Sequence, residues 1–195
     1  MKYYFAGGLF SHKEIIGNRL LAEAIAGVSH GKWEALLPQD AENQLRDDPK
    51  AIRDNDFEMV LQSDAALFNF DGTELDSGTV AEFMAARFID LPCVLFRSDF
   101  RSAGDQNADG EAWNLMLSGY PRTVTVRFES MEQYQHFFGG NNSPMEALKL
   151  YYQTMAERIV EALDRIAAVK PVLSAAERQE ALNIFRKCCG IKNIL

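Results

Sequence analysis

Four carboxylates, Asp71, Glu74, Asp76 and Glu82, fall within twelve residues of the chain, in and after the stretch Phe68-Asn-Phe-Asp-Gly-Thr-Glu-Leu-Asp76. Like charges held so close perturb one another's titration, and such clusters mark sites of acid–base or nucleophilic chemistry. Glu82 is the candidate nucleophile. It follows a turn bracketed by Gly72 and Gly78, and a helix N-terminus there would favour its charged form. A plainer reading stays open. Thr79-Val-Ala-Glu82 fits a capping box, with Thr79 as the cap and Glu82 at the third helical position bonding back to it. For Asp71-Gly72 the plain reading is turn chemistry.

Asp56 is a further acid of interest. Ile52, Met59, Val60 and Ser63 share one face at helical spacing, and Asp56 sits in the middle of that face. A carboxylate in an apolar stripe is costly unless it is paired or opens on a cleft. The alternative is that Asp54 and Asp56 are solvated and the face is rotated.

The elements that must position these acids alternate along the chain. Strands are expected at Tyr3–Ala6, Trp33–Pro38, Ala65–Phe70, Pro92–Phe96 and Thr123–Phe128, with helical patterns between them. Gly7-Gly8 follows the first strand and lets a ligand approach the backbone. It lacks the third glycine of a dinucleotide fingerprint. Gln39–Gln44 reads as a polar loop, and Pro49 fits the first turn of the next helix. Residues 102–110 read as a mobile loop. Beyond the break at Gly139–Ser143, two helices are expected over Pro144–Ala168 and Ser174–Cys189. Leu148, Tyr152, Met155, Ile159, Leu163 and Ile166 form a stripe that could cover the core or a neighbouring subunit. The expected fold is α/β: a flavodoxin-like, doubly wound, five-stranded parallel sheet with extra C-terminal helices. An α/β unit over 1–140 would carry a helical extension over 141–195. The first and third strands would lie side by side, so that the glycine loop faces the acidic turn.

Composition narrows the partners. The chain has 195 residues, 47% hydrophobic and 25% charged, with a net charge of −8. That balance argues against nucleic acid or an anionic membrane as the main partner. No apolar run is long enough to span a bilayer. Cys93, Cys188 and Cys189 do not form a disulfide framework, and the opening Met1-Lys-Tyr-Tyr-Phe lacks a signal-peptide layout. A cytoplasmic location is therefore expected. His12, His30 and His136 are scattered, so no metal site is expected.

Tyr4-Phe-Ala-Gly-Gly-Leu-Phe-Ser11 and Asp76-Ser-Gly-Thr-Val-Ala-Glu82 together resemble the nucleoside 2-deoxyribosyltransferases. The likeness runs from about Met1 to Phe138. It includes the Asp-x-Gly-x-x-x-Glu spacing, Asp56 on the preceding helix, Ser98-Asp-Phe-Arg101 and Asn114-Leu-Met116. It implies base exchange on 2′-deoxynucleosides through a deoxyribosyl ester on Glu82. Asp56 would protonate the leaving base, Asp76 would bind substrate and steady the nucleophile, and Tyr4 would orient it. Candidate substrate contacts are Gly7, Gly8, Phe10, Asp71, Gly78, Ser98, Asp99, Arg101, Asn114 and Met116. No cofactor is implied. The partners would be deoxynucleosides and free nucleobases, and the protein would be a homo-oligomer. A nucleoside or nucleotide N-glycosidase of the same superfamily is the first alternative. A non-catalytic nucleotide-binding module is the second.

Overall fold

The computed structural model describes residues 1–41, 48–101 and 111–191. Five strands form one all-parallel sheet: β1 (Lys2–Ala6), β2 (Glu34–Leu36), β3 (Ala65–Asn69), β4 (Cys93–Arg97) and β5 (Thr123–Arg127). Their order is β2-β1-β3-β4-β5, the flavodoxin-like winding expected from the sequence. β1 and β3 are neighbours in register, with Tyr4 opposite Ala66 and Ala6 opposite Phe68. Helices connect the strands: α1 (His12–Val28), α2 (Pro38–Ala41), α3 (Pro49–Gln62) and α4 (Ser77–Phe88). After β5 come α5 (Ser130–Phe138), α6 (Pro144–Ala167) and α7 (Ala175–Cys189).

Strand alternation divides the core in two. Tyr3, Phe5, Leu67, Val94 and Phe96 point toward α1 and α6. Tyr4, Ala6, Phe68 and Leu95 point the other way, toward the side where Val60, Leu61 and Phe83 of α3 and α4 pack. The stripe on α6 covers the first half, with Met155, Ile159, Leu163 and Ile166 all buried. The choice left open for that stripe thus resolves in favour of the chain's own core.

Two local expectations change. Pro38 opens the short helix α2 through Ala41, where a polar loop was expected, because proline suits a first helical turn. Residues 42–47 and the loop expected over 102–110 lie outside the described residues.

Beyond β5 the chain returns across the sheet. Asp90 anchors this return. Its carboxylate pairs with Arg122 at 2.9 Å and accepts the Val172 and Leu173 backbone N–H groups at 2.7 and 3.1 Å. α7 then lies over α3 and α4. Arg186 grips Glu58 of α3 through two hydrogen bonds of 3.0 and 2.6 Å. The Phe185 ring contacts Phe57 of α3 and Phe88 of α4, with centroids 5.3 and 6.1 Å away.

Candidate active site

Tyr4 is fully buried in the centre of the sheet, and its hydroxyl donates a 2.8 Å hydrogen bond to Glu82 Oε1. β1 sends Tyr4 toward α4 because Tyr3 and Phe5 fill the opposite face. Burial drives the Glu82 carboxyl toward its neutral form. The Tyr4 hydrogen bond opposes this, the charges of Asp56 and Asp76 add to it, and the group is pushed up to about 8. Burial, followed by the charges of Glu82 and Asp56, raises Tyr4 well above the ordinary phenol range and keeps it a donor. Asp56, from α3, thus acts on both groups across the α3–α4 side of the sheet.

The start of α4 differs from the capping box that the sequence allowed. Asp76 is the cap, and its Oδ2 accepts the Thr79 N–H at 2.7 Å and the Thr79 hydroxyl at 2.9 Å. The helix therefore begins at Ser77, and Glu82 lies in its second turn. There the helix terminus no longer governs its charge. Burial does, and it acts in the direction opposite to the one expected. Gly78 leaves room for this cap, since a Cβ there would stand 3.1 Å from Asp76 Oδ2.

A second group of expected residues forms a clasp between the loops after β3 and β4. Asp71 accepts the Ser98 N–H and hydroxyl, each at 2.6 Å, and the Asp99 N–H at 2.8 Å. Asp99 accepts the Gly72 N–H at 3.2 Å and the Arg101 guanidinium. The hydrogen bonds from Arg101 outweigh partial burial and hold the Asp99 carboxyl well below the usual range. Asn114 Oδ1 caps a 3-10 turn at Leu115–Leu117 by accepting the Met116 N–H at 2.9 Å. Tyr120 donates to the Met116 carbonyl at 2.9 Å and stacks edge-on against Phe83 of α4. Met116 itself is exposed.

A cavity of about 510 Å³ opens over the carboxyl ends of β1, β3 and β4. Gly8, Phe10, Asp71, Asp76 and Ser98 are in its wall. Tyr4, Asp56 and Glu82 are not, nor are Gly7, Gly78, Asp99, Arg101, Asn114 and Met116. Asp76 is thus common to the acid cluster and the cavity. Gly7 runs tightly over the end of β3, where a Cβ would meet the Asn69 side chain at 3.1 Å.

The cavity also uses residues that the sequence reading did not single out. Asn18 is buried and donates to the Gly8 carbonyl at 3.2 Å. Its position on the same helical face as Leu21, Ala22 and Ile25 was the available signal. Glu14 accepts the Phe10 N–H at 3.0 Å, and its spacing from Ser11 is that of a cap. Tyr151 joins them from α6, beside Tyr152 of the stripe already noted. Arg97 is buried and donates to the carbonyls of Phe70, Gly72 and Arg101, which fixes the turn beneath the acids. Among the described residues, no group of three or more His, Cys, Asp or Glu side chains could hold a metal.

The family model for nucleoside 2-deoxyribosyltransferase matches residues 3–118. The chain belongs to that family. A conserved protein from Enterococcus faecalis is 27% identical, with a TM-score of 0.55, over 68% of this chain and 94% of its own. A 2-desoxiribosyltransferase from Leishmania mexicana shares the fold, with a TM-score of 0.50 at 22% identity, over 70% of this chain and 95% of its own. Comparison with curated proteins gives no significant match. The family match ends before β5, so Tyr151, Tyr152 and Arg186 all lie outside it. No described helix is long and apolar enough to cross a membrane.

Proposed function

We propose that this protein exchanges the base of 2′-deoxynucleosides, with Glu82 as the nucleophile. The observation that carries the reading is the Tyr4–Glu82 hydrogen bond inside the acid cluster. One ionised carboxylate and one protonated acid are what the chemistry needs. Glu82 Oε attacks C1′ as the C1′–N bond to the base breaks. The bonding electrons leave with the base, and a proton from Asp56 neutralises it. The result is a deoxyribosyl ester on Glu82 and a free base. A second base attacks C1′ from the opposite face, returns its proton to Asp56 and releases Glu82. Tyr4 holds one carboxylate oxygen so that the other faces the sugar. Asp76, fixed by Thr79, binds substrate at the edge of the cluster.

We place this chemistry in an α/β unit over 1–140, with α6 and α7 as the helical extension that braces it. We assign the assembly as a homo-oligomer, and light scattering that gives a monomer mass would reverse this. The deciding experiment mixes a deoxynucleoside with a different free base and separates the products. A new deoxynucleoside supports transfer. Free deoxyribose identifies a hydrolase, and no change in either compound favours a binding module.

A further inference from the structure

We infer that α7 is a clamp across α3 and α4 that sets the spacing between Asp56 and Glu82, with Arg186 as its main positioning residue. What that spacing does in the reaction rests on the proposed function. Asp56 is carried by α3 and Glu82 by α4. Packed helices are joined by side chains alone, and sliding between them is a common mode of motion. An element that grips both helices at once removes that freedom.

On α3 the clamp takes one stripe, formed by Arg53, Phe57 and Glu58. Arg53 donates to the Cys189 carbonyl at 3.1 Å, at the end of α7 where carbonyls lack helical partners. The Phe57 ring lies 5.3 Å from that of Phe185. Glu58 accepts from Arg186 on both oxygens, Nε at 3.0 Å to one and Nη2 at 2.6 Å to the other. Such a two-pronged pairing fixes direction as well as distance. Asp56 stands between Arg53 and Phe57 in sequence but outside the stripe, and its charge reaches Tyr4 and Glu82 instead.

On α4 the clamp holds the far end. Arg178 Nε donates at 3.3 Å to the carbonyl of Ile89, the residue that closes α4. The Phe88 ring lies 6.1 Å from that of Phe185, so one ring meets both helices. Leu182 is buried in the half-core that also contains Val60 and Leu61 of α3 and Phe83 of α4, the neighbour of Glu82. Arg178, Leu182, Phe185 and Arg186 recur at helical spacing, so a single face of α7 makes these contacts. The charge of Asp56 bears on Glu82 only while the two helices keep their separation, since the interaction falls with distance. α7 lies beyond the matched residues 3–118, so the clamp is not part of what the family match describes.

The test reads Glu82 with and without turnover. Besides burial, Tyr4 from β1, Asp56 from α3 and Asp76 at the start of α4 act on its titration. In Arg186→Ala, carboxyl NMR should show Glu82 titrating below the natural chain's value of about 8, because Asp56 has moved away. The kcat for base exchange should fall by about ten- to a hundredfold, with KM within about threefold of the natural chain. Arg186→Lys should recover part of both. A role in stability alone lowers the amount of folded protein and leaves the titration of the remainder where it was. An unmoved Glu82 titration in folded Arg186→Ala therefore overturns the inference. If that variant does not fold, Phe185→Leu is read by the same criterion. A moved titration at an unchanged kcat overturns the positioning role, since the spacing would then not matter to the reaction. If the natural chain releases no base and Glu82 still moves in the variant, the proposed chemistry falls and the clamp stands.

Discussion

The Tyr4 hydroxyl and the Glu82 carboxylate meet at 2.8 Å although 78 positions separate them in the chain. One belongs to β1, an interior strand of the sheet, and the other to the second turn of α4. The hydrogen bond is therefore a direct readout of how α4 sits on the sheet. It also occupies one of the two Glu82 carboxylate oxygens.

Removing that bond tests its role. Tyr4→Phe keeps the ring and deletes the donor. A hydrogen bond to a charged group contributes about 1.5–3 kcal/mol, so kcat for base exchange should fall by roughly ten- to a hundredfold. KM should change little. Glu82→Gln should abolish exchange outright and leave no deoxyribosyl adduct in a quenched mass spectrum. Normal turnover by the glutamine variant removes Glu82 from the mechanism.

The pH dependence of activity follows from the proton on Glu82. Burial keeps that carboxyl neutral up to about 8, and nucleophilic attack needs its ionised form. The rate should therefore rise with pH toward about 8 in stopped assays. Asp56→Asn removes the group assigned to protonate the base and, in the free protein, the charge that helps raise Glu82. The variant should lose rate with most bases, and the Glu82 titration should move down from about 8. A pH profile unchanged by the substitution shows that Asp56 is not part of the cluster in solution.

Stability should depend on pH through the same group. The folded-state value of Glu82 is raised from 4.5 to about 8. Between those values the folded protein keeps a proton that the unfolded chain has released. Stability from this group is complete below about 4.5 and is lost as pH rises toward 8. Glu82→Gln has no such titration. Its advantage over the natural chain should grow from near zero at pH 4.5 to on the order of 2–4 kcal/mol at pH 8. Denaturant melts at a series of pH values measure this, and a constant difference rules out the raised value.

The brace supplied by α7 can be loosened at one contact. Burial works against ionised Glu58, yet its hydrogen bonds with Arg186 and Gln62 hold its carboxyl below the ordinary value. Arg186→Ala leaves that carboxylate half-enclosed without its cation, at a cost of about 1–3 kcal/mol. Arg186→Lys should recover part of the loss, because lysine restores the charge without the two-pronged geometry. Thermal melts of both variants decide the matter, and equal melting temperatures for all three proteins would show that the pair is solvated.

Much of the architecture follows from the amino-acid order itself. Short apolar runs bounded by glycine, proline and acid specify β1, β3 and β4, because such runs are stable only when buried on both faces, whereas the edge strands β2 and β5 are only partly buried. The alternation with helical patterns then leaves few windings. The spacing from Asp76 to Glu82 and the Tyr4 loop carried the family likeness. The same spacing was ambiguous about the helix start. Asp76 and Thr79 are both good caps, and only the folded backbone decides which oxygen reaches the N–H. The charge of Glu82 was misjudged for a related reason. Proximity to a helix end can be read from sequence. Burial cannot, because it sums contributions from β1, α3 and α4, which meet only in three dimensions. Tyr152 is placed on a stripe by its spacing, yet its position in one cavity wall with Asn18 and Asp76 depends on α6 returning across the sheet. Sequence determined the parts and their order. The tertiary structure decided which side chains share a hollow, because that depends on distances between segments that no local pattern encodes.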